Sequence, residues 1–301
     1  MTQTADLLAA TIAFNTNLRE LTQKSTSLLE STLDNTTMNT NFEYFDRIGS
    51  VELLVRQGRH SDVQYTPTEF SRRSIQTVDY EGMDYIDEQD LQRQMVNPQS
   101  SMLANFVKAA NRKKDQIIID NLLGSSQSVD KSGAITNVPF DTANQLIADG
   151  SKDLTTKKLK DAIKIFEDND VDLATEEVYC VLSTQSYRYL LGQTEFINKD
   201  YKLSTNAEMK YTKAEEFYGI KFLRFNPKHL PVGANANTKR AFLYVKRAGL
   251  FAKHKEITTI AEKNVAKQNI QLSAKASYGA TRMEEKLVVA IDCLTTDLPT
   301  A

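Results

Sequence analysis

One stretch constrains the fold of this chain more than any other, because residues 97–124 have the pattern of a single long helix. Asn97 suits the N-cap and Pro98 the first helical position, where the missing N–H has no cost. Apolar residues then recur at helical spacing, and Gly124 suits the position after the last turn. A helix over 97–123 would be roughly 40 Å long at 1.5 Å per residue. We therefore predict that the rest of the chain is organised around this helix.

The charge of the chain is nearly balanced, with 37 Lys and Arg residues against 39 Asp and Glu residues. A dedicated nucleic-acid-binding protein carries a strongly basic domain, so this composition argues against one. The predicted helix does contain the basic run Arg112, Lys113 and Lys114. That run is short, and it supports only a weak, sequence-independent contact with nucleic acid.

The two cysteines, Cys180 and Cys293, lie in apolar, strand-like runs. We predict that they are buried free thiols, which suits a protein in a reducing cytoplasm. The N-terminus has no basic segment before an apolar one, and no apolar run reaches the 18 or so residues of a membrane span. The sequence therefore predicts a soluble protein with no membrane partner.

Residues 1–40 are polar and contain neither proline nor glycine. Leu7, Phe14, Leu21 and Leu28 are spaced seven apart, which places a thin apolar seam along a helix. An isolated helix of this quality is marginal in water, so it needs a surface to lie against. Two interpretations stay open, a frayed N-terminal tail and an arm that docks on a neighbouring subunit.

The signals change to strand between residues 42 and 79. Segments 51–55 and 74–78 are β-prone, and a polar stretch over 58–68 separates them, so we predict a long hairpin. A two-stranded ribbon is marginally stable on its own. The hairpin therefore either packs on its own domain or leans on another subunit.

Six charged residues are candidates for contacts between subunits. They comprise four arginines of the hairpin and two aspartates of the acidic stretch that follows it: Arg56, Arg59, Arg72, Arg73, Asp84 and Asp87. Such charges set register and reject wrong partners more than they supply affinity.

A metal site in the acidic stretch is disfavoured, because no histidine lies nearby and the spacing fits no ligand pattern. Asp87 is also placed to cap a short helix before the long one.

The rest of the chain mixes helix and strand signals, which is typical of an α+β domain. In order, the predicted elements are a helix capped by Thr155 or Thr156, strand 178–182, a short helix capped by Ser183 or Thr184 and closed by Gly192, strands 217–225 and 241–245, a short helix over 246–254, an alternating strand 270–278 that Gly279 ends, and strand 287–291. The polar stretch 193–214 is long for a loop, which indicates a functional or interface role. The late strands need a large apolar partner, and the long helix is the best candidate.

No recognisable catalytic or cofactor motif is present. The three histidines, His60, His229 and His254, are far apart, and there is no H-E-x-x-H, C-x-x-C, G-x-G-x-x-G, P-loop or G-x-S-x-G pattern. We predict no catalytic residues, no metal site and no cofactor. The chain is predicted not to be an enzyme.

Several segments, taken in their order and spacing, carry a resemblance to a known family. They are FDRIGSVE at 45–52, SRRSIQTVDY at 71–80, NPQSSMLANFVKAANRKKDQIIID at 97–120, FYGIKF at 217–222 and YGATRMEEKLVVAI at 278–291. Together they span most of the chain. The sequence resembles the major capsid proteins of tailed phages, which have the Hong Kong 97 fold.

The resemblance implies an α+β fold with a defined order of parts. These would be an N-terminal arm (1–40), an extended β-hairpin loop (41–80), a peripheral domain (81–139) with a spine helix (97–123), an axial domain (140–255), and a return to the peripheral sheet (256–301). The stretch 193–214 would be one of the axial-domain loops that meet around the five-fold and six-fold positions.

The resemblance also implies a function and partners. Many copies would form pentamers and hexamers of an icosahedral shell around double-stranded DNA, in a virion assembled in the host cytoplasm. A portal, a separate scaffolding protein and non-specific contact with the packaged DNA are expected, the scaffold because only a short arm precedes the hairpin. Two alternatives stay open: an encapsulin-like nanocompartment shell of the same fold, and an enzyme without a recognisable motif.

Overall fold

The computed structural model describes residues 25–295 apart from 57, 60–61, 63–64, 88, 90–98, 131, 194–215 and 266. Several predictions fall outside the described residues. They are the apolar seam at Leu7, Phe14 and Leu21, the helix start at Asn97 and Pro98, the short helix after Asp87, and nearly all of the loop 193–214.

The described residues form helices and strands in a mixed α+β order. The α-helices are α1 (Gln99–Leu123), α2 (Thr156–Asp168) and α3 (Thr184–Leu191). The strands are β1 (Asp34–Thr37), β2 (Phe42–Ile48), β3 (Phe70–Gln76), β4 (Val78–Asp87), β5 (Ser126–Val129), β6 (Ile135–Val138), β7 (Leu146–Ile147), β8 (Val178–Ser183), β9 (Glu216–Phe217), β10 (Ile220–Phe225), β11 (Thr238–Val245), β12 (Gly249–Asn264), β13 (Asn269–Arg282) and β14 (Val288–Leu294).

These strands form three sheets. The platform sheet has the order β1-β12-β13-β4, the six-stranded sheet has the order β7-β14-β11-β8-β10-β9, and the hairpin sheet has the order β2-β3-β5-β6. The long helix α1 lies against β13 and β12 of the platform sheet. Its C-terminal half supplies Ile117, Ile118 and Leu122 to the hydrophobic core, as the apolar spacing predicts. The predicted packing of the long helix on the late strands is therefore confirmed.

The six-stranded sheet is the best-covered part of the molecule. Every residue of β8 is buried, as are six of the seven residues of β14. Thr155 caps α2 through its side chain, and Ser183 does the same for α3, as predicted. Both cysteines are buried free thiols in these strands, and burial raises the pKa of the Cys293 thiol to about 12.

One prediction of local structure is wrong and one strand was not predicted, because distant pairing overrides the local pattern. Residues 246–254 do not form a helix, since the 3₁₀ turn Lys246–Ala248 leads directly into β12, which pairs with β13 along most of its length. The acidic stretch that begins at Tyr80 continues β4, which the sequence did not reveal. That strand pairs with β13 from Val78 to Asp87.

The hairpin is confirmed, and its predicted second strand, 74–78, overlaps β3, but its first strand lies elsewhere than predicted. Segment 51–55 has no regular structure, and β2 and β3 pair instead from Phe42–Gln76 to Ile48–Phe70. The strand 287–291 is confirmed as β14, which pairs along its length with β11. The six-stranded sheet therefore holds this strand, whereas β12 and β13 lie in the platform sheet.

Gly279 does not end its strand, in contrast to the prediction, because β13 continues to Arg282. A Cβ atom at position 279 would lie 2.6 Å from the carbonyl oxygen of Gln76 and 3.2 Å from the side chain of Ile75. Glycine is needed here because β3 passes close to β13. This contact fixes the base of the hairpin against the platform sheet.

We expect Gly279→Ala to lower the free energy of unfolding by about 1–3 kcal/mol, because the added methyl group must displace backbone. The control is Gly58→Ala, since no atom lies within 4 Å of a Cβ built there, and its effect should stay within about 0.5 kcal/mol. Urea unfolding of both variants measures the difference. Equal midpoints for the two variants would contradict the close approach.

Candidate assembly surface

The hairpin projects from a base that is well anchored in the chain. Next to β3 lies β5, which pairs with it at Arg72–Val129 and Arg73–Ser128. Beyond the paired strands, residues 49–69 form the hairpin tip, and the described residues of this tip have no regular strand or helix. The hairpin therefore combines an ordered base with a tip that has little backbone pairing of its own.

Large apolar side chains are exposed at the hairpin tip and at the strand ends beside it. They are Ile48, Val51, Leu53, Leu54, Val55, Tyr65 and Phe70. Leu53 is 97% exposed and Val55 is 90% exposed. Single exposed apolar residues are ordinary, whereas a contiguous group of them marks an interaction surface. The hairpin tip is therefore the candidate assembly surface of this chain.

Three of the four predicted arginines are accessible on the hairpin. Arg56 and Arg59 are exposed in the tip, where the Arg56 guanidinium donates a hydrogen bond to the carbonyl oxygen of Arg59. Arg72 on β3 pairs with Asp46 across the hairpin at 2.6 Å, and both side chains are mostly exposed. A surface pair of this kind contributes at most about 1 kcal/mol. The side chains of these three arginines are therefore accessible to a partner.

The fourth arginine, Arg73, faces the interior and is 1% exposed. Its guanidinium forms an ion pair with Glu285, which also pairs with Arg47 at 3.5 Å. Burial, and next the charges of Arg47 and Arg282, lowers the pKa of Arg73 to about 10, so it stays protonated at neutral pH. Its position argues for a role within the chain in place of the predicted contact between subunits.

The two predicted aspartates lie on β4, an edge strand of the platform sheet. Asp84 accepts a hydrogen bond from the N–H of Tyr85, and Asp87 accepts one from the N–H of Gln89. Both are exposed, and so are the apolar neighbours Val78, Met83 and Tyr85. Among the described residues, no ion pair joins these aspartates to the hairpin arginines within one chain. Their predicted role between subunits stays a prediction.

A second feature, which the sequence did not reveal, fixes the start of the described chain to α1. The carboxylate of Asp115 accepts hydrogen bonds from the hydroxyl of Ser27 at 2.5 Å, the N–H of Leu28 at 3.0 Å and the N–H of Leu29 at 3.1 Å. The neighbouring Lys114 is 4% exposed and donates to Glu30 at 3.1 Å. We call these contacts the clasp.

The clasp also reaches the platform sheet. Lys114 donates to Glu256 on β12 at 2.6 Å, and its ammonium lies 4.9 Å from the ring centre of Tyr278. Burial alone would raise the pKa of Glu256. The hydrogen bond and charge of Lys114, the charge of Lys253 and the hydrogen bond from Tyr278 together lower this pKa overall. The basic run predicted on the helix therefore includes a lysine that binds protein, and the clasp holds residues 27–30 against α1 and β12.

Other classes of site find no support in the described part of the chain. No group of three or more His, Cys, Asp or Glu side chains there could hold a metal ion. Nor does any described helix combine the length and apolar character that a membrane crossing requires. His229 and His254 are both described, and His254 lies in β12, close to the carbonyl oxygen of Met38, and not at the helix end that was predicted.

Comparison with known proteins was made against family models, curated proteins and solved structures. The model of a family described as phage capsid protein matches residues 8–295. No curated protein matches the chain. Many solved structures match it, and three examples are given below.

The solved neighbours are capsids of phages. The chain is 13% identical to the capsid of cyanophage P-SCSP1u, with a TM-score of 0.69 over 92% of this chain and 90% of that one. It is 11% identical to the capsid of Ralstonia phage GP4, with a TM-score of 0.69 and 95% of each chain covered. It is 15% identical to the mature capsid of bacteriophage PhiM1, with a TM-score of 0.68 over 94% of this chain and 91% of that one. At these identities the similarity is one of fold, and it confirms the predicted α+β capsid fold.

The clasp makes stability depend on pH in a defined direction. Because the pKa of Glu256 is lowered in the folded chain, its contribution is present above the ordinary glutamate value and is lost as the pH falls through the folded pKa. We expect Glu256→Gln to reduce the urea midpoint at pH 7 and to flatten the acid side of the stability curve. The control Glu262→Gln changes an exposed residue of the same strand. An identical pH profile for both variants would contradict the role of the clasp.

Proposed function

The chain belongs to the phage capsid protein family and is a major capsid protein, and we propose that its copies assemble into the icosahedral shell of a tailed phage around double-stranded DNA. The observation that carries this proposal is the hairpin tip, residues 49–69, with its exposed apolar side chains. A folded monomer has no evident use for such a surface. A shell supplies a neighbour at every hairpin.

Burial of the tip against a neighbouring subunit would supply part of the assembly energy. Leu53 and Val55 are almost fully exposed in the single chain. Full burial of a side chain of this size stabilises by about 1.5–3 kcal/mol. Symmetry repeats each interface many times in a closed shell, so moderate contacts add up to a rigid container.

Charged residues beside the apolar surface would select the register of neighbours. Arg56, Arg59 and Arg72 are exposed on the hairpin, and Asp84 and Asp87 are exposed on the edge strand β4. Opposite charges on separate surfaces of one chain can meet between copies, where they act on specificity more than on affinity. Arg73 is left out of this set because it is buried.

The two large sheets would correspond to the two domains of a capsid subunit. The platform sheet with α1 would be the peripheral domain, with α1 as its spine helix. The six-stranded sheet with α2 and α3 would be the axial domain, whose loops would meet around five-fold and six-fold axes in pentamers and hexamers. The stretch 193–214 would be one of those loops.

Further partners belong to the same proposal. Assembly in the host cytoplasm would involve a portal and a separate scaffolding protein, and the finished virion would place the inner surface in non-specific contact with DNA. The encapsulin-like alternative is disfavoured by the description of the matching family. The structural role also disfavours the alternative of an enzyme without a recognisable motif.

We expect Leu53→Asp and Arg72→Glu to leave the subunit folded and to reduce the yield of shells at least tenfold. Both side chains are exposed, so subunit stability should change by no more than about 0.5 kcal/mol for Leu53→Asp and by about 1 kcal/mol for Arg72→Glu, which loses the pair with Asp46. In the shell, the first variant would place a charge in an apolar contact and the second would reverse a charge at the interface. Size-exclusion chromatography with negative-stain electron microscopy measures shell yield.

The control is Val232→Asp, which adds the same charge at an apolar residue that is 54% exposed near the six-stranded sheet. It separates a general effect of charge from an effect at the hairpin tip. Normal shells from both hairpin variants would refute the assignment of the tip as an assembly surface. A third variant, Arg73→Glu, should fail at folding, because it buries a carboxylate beside Glu285.

A further inference from the structure

A group of three arginines at the hairpin base has a role that assembly does not explain. Arg47 on β2, Arg73 on β3 and Arg282 at the end of β13 form this group, which we call the basic cluster. Arg73 is 1% exposed and Arg282 is fully buried. Arg47 and Arg73 both donate to the carbonyl oxygen of Met283, the residue next to Arg282, so the three arginines lie close together.

The basic cluster carries more positive charge than its described neighbours balance. Glu285 is the carboxylate that forms ion pairs with Arg47 and Arg73, and Glu284 acts on Arg47 at longer range. No ion pair joins Arg282 to any described residue. A single carboxylate that pairs with two of the three guanidinium groups leaves an excess of positive charge in a largely buried place.

Backbone carbonyls balance part of this excess at Arg282. Its guanidinium donates to the carbonyl oxygens of Leu122 at 2.8 Å, Gly124 at 2.7 Å and Val138 at 3.1 Å. The first two lie at the C-terminal end of α1, where the helix dipole is negative. The dipole is equivalent to about half an elementary charge, so it cannot neutralise a full guanidinium.

Two donors of the basic cluster have no acceptor. Within the described part of the chain, neither Nη1 of Arg73 nor Nε of Arg282 has a hydrogen-bond partner, although both atoms are buried. A buried donor without a partner is costly, and more so when the group is charged. A water molecule would satisfy the N–H groups but would leave the excess charge. An anion would do both.

From these observations we propose that the basic cluster binds a small inorganic anion of the size of chloride, held by Nη1 of Arg73 and Nε of Arg282. The enclosure of both side chains favours a small ion over a phosphate. The anion would join the hairpin base, the end of α1 and the end of β13 at one point. It would therefore stabilise the angle at which the hairpin leaves the body of the subunit.

The test is thermal unfolding of the full chain in sodium chloride, with sodium gluconate replacing it to hold the ionic strength constant. An anion that binds only the folded chain raises Tm by about 3 °C for each tenfold increase in concentration above its Kd. We expect this rise in the natural chain and its loss in Arg73→Met, which keeps a long unbranched side chain without charge. Glu285→Gln should lower the half-saturating chloride concentration several-fold, because it removes a competing negative charge.

The control is Arg247→Met, since Arg247 is also paired with a glutamate, Glu176, but is exposed and lies outside the basic cluster. Its chloride response should equal that of the natural chain. An independent readout, which needs no variant to fold, is an anomalous difference map from crystals grown in sodium bromide. A peak within hydrogen-bond distance of both arginines supports the proposal. Three results would overturn it: a Tm that does not change with chloride concentration, a chloride-dependent rise in Tm that persists in Arg73→Met, or a bromide map without that peak.

Discussion

A two-stranded hairpin that extends beyond its own domain cannot bury the apolar side chains at its tip. In this chain that constraint falls on Leu53, Val55 and their neighbours, which are exposed while strands such as β8 and β14 are almost fully buried. Exposure of such a surface to water is unfavourable, and nothing within a single chain explains why it is kept exposed. Contact with another copy removes this cost, and the family of the chain supplies the reason for such contact. The capsid function thus follows from where the hydrophobic surface is left uncovered.

The proposed role of the hairpin in assembly depends on a base that several contacts hold and a tip with little backbone pairing of its own. Pairing with β5, the close approach at Gly279 and the ion pairs of Glu285 with Arg47 and Arg73 all hold the base. A fixed base sets the direction in which the tip meets a neighbour, which reduces the entropy lost on association. The clasp around Lys114 and Asp115 holds the first described residues, from Ser27 to Glu30, against α1. Buried charge therefore fixes both of these places in the described chain.

Local patterns in the sequence predicted the elements whose stability is local. The apolar spacing of α1, the Thr155 cap of α2 and the alternation within β13 all depend on residues close together in the chain, and all are observed. The strand character of β4 and β12 was missed because it depends on pairing with β13, which local propensity does not contain. The same limit explains the strand predicted over 51–55, where the β-prone residues pair with no strand among the described residues.

The candidate site was predicted in part, for a similar reason. Charge drew attention to Arg72 and Arg73 together, yet adjacent residues of a strand point to opposite faces, and the packing of β3 on β13 with the contact to Glu285 decides which one is buried. The exposed apolar run from Leu53 to Val55 was visible in the sequence, but it was interpreted as a strand and not as a contact surface. The contacts of Lys114 and Arg282 join residues more than 80 positions apart, which no local pattern can reveal.

The most direct test of the central claim is hydrogen–deuterium exchange measured on free subunits and on assembled shells of the same chain. If the hairpin is completed only by neighbouring copies, the amides of residues 49–69 exchange rapidly in the free subunit and become protected in the shell. The buried strands β8, β11 and β14 should show the same slow exchange in both states. Equal protection of the hairpin tip in the free subunit and in the shell would contradict the claim, because the tip would then be ordered by its own chain.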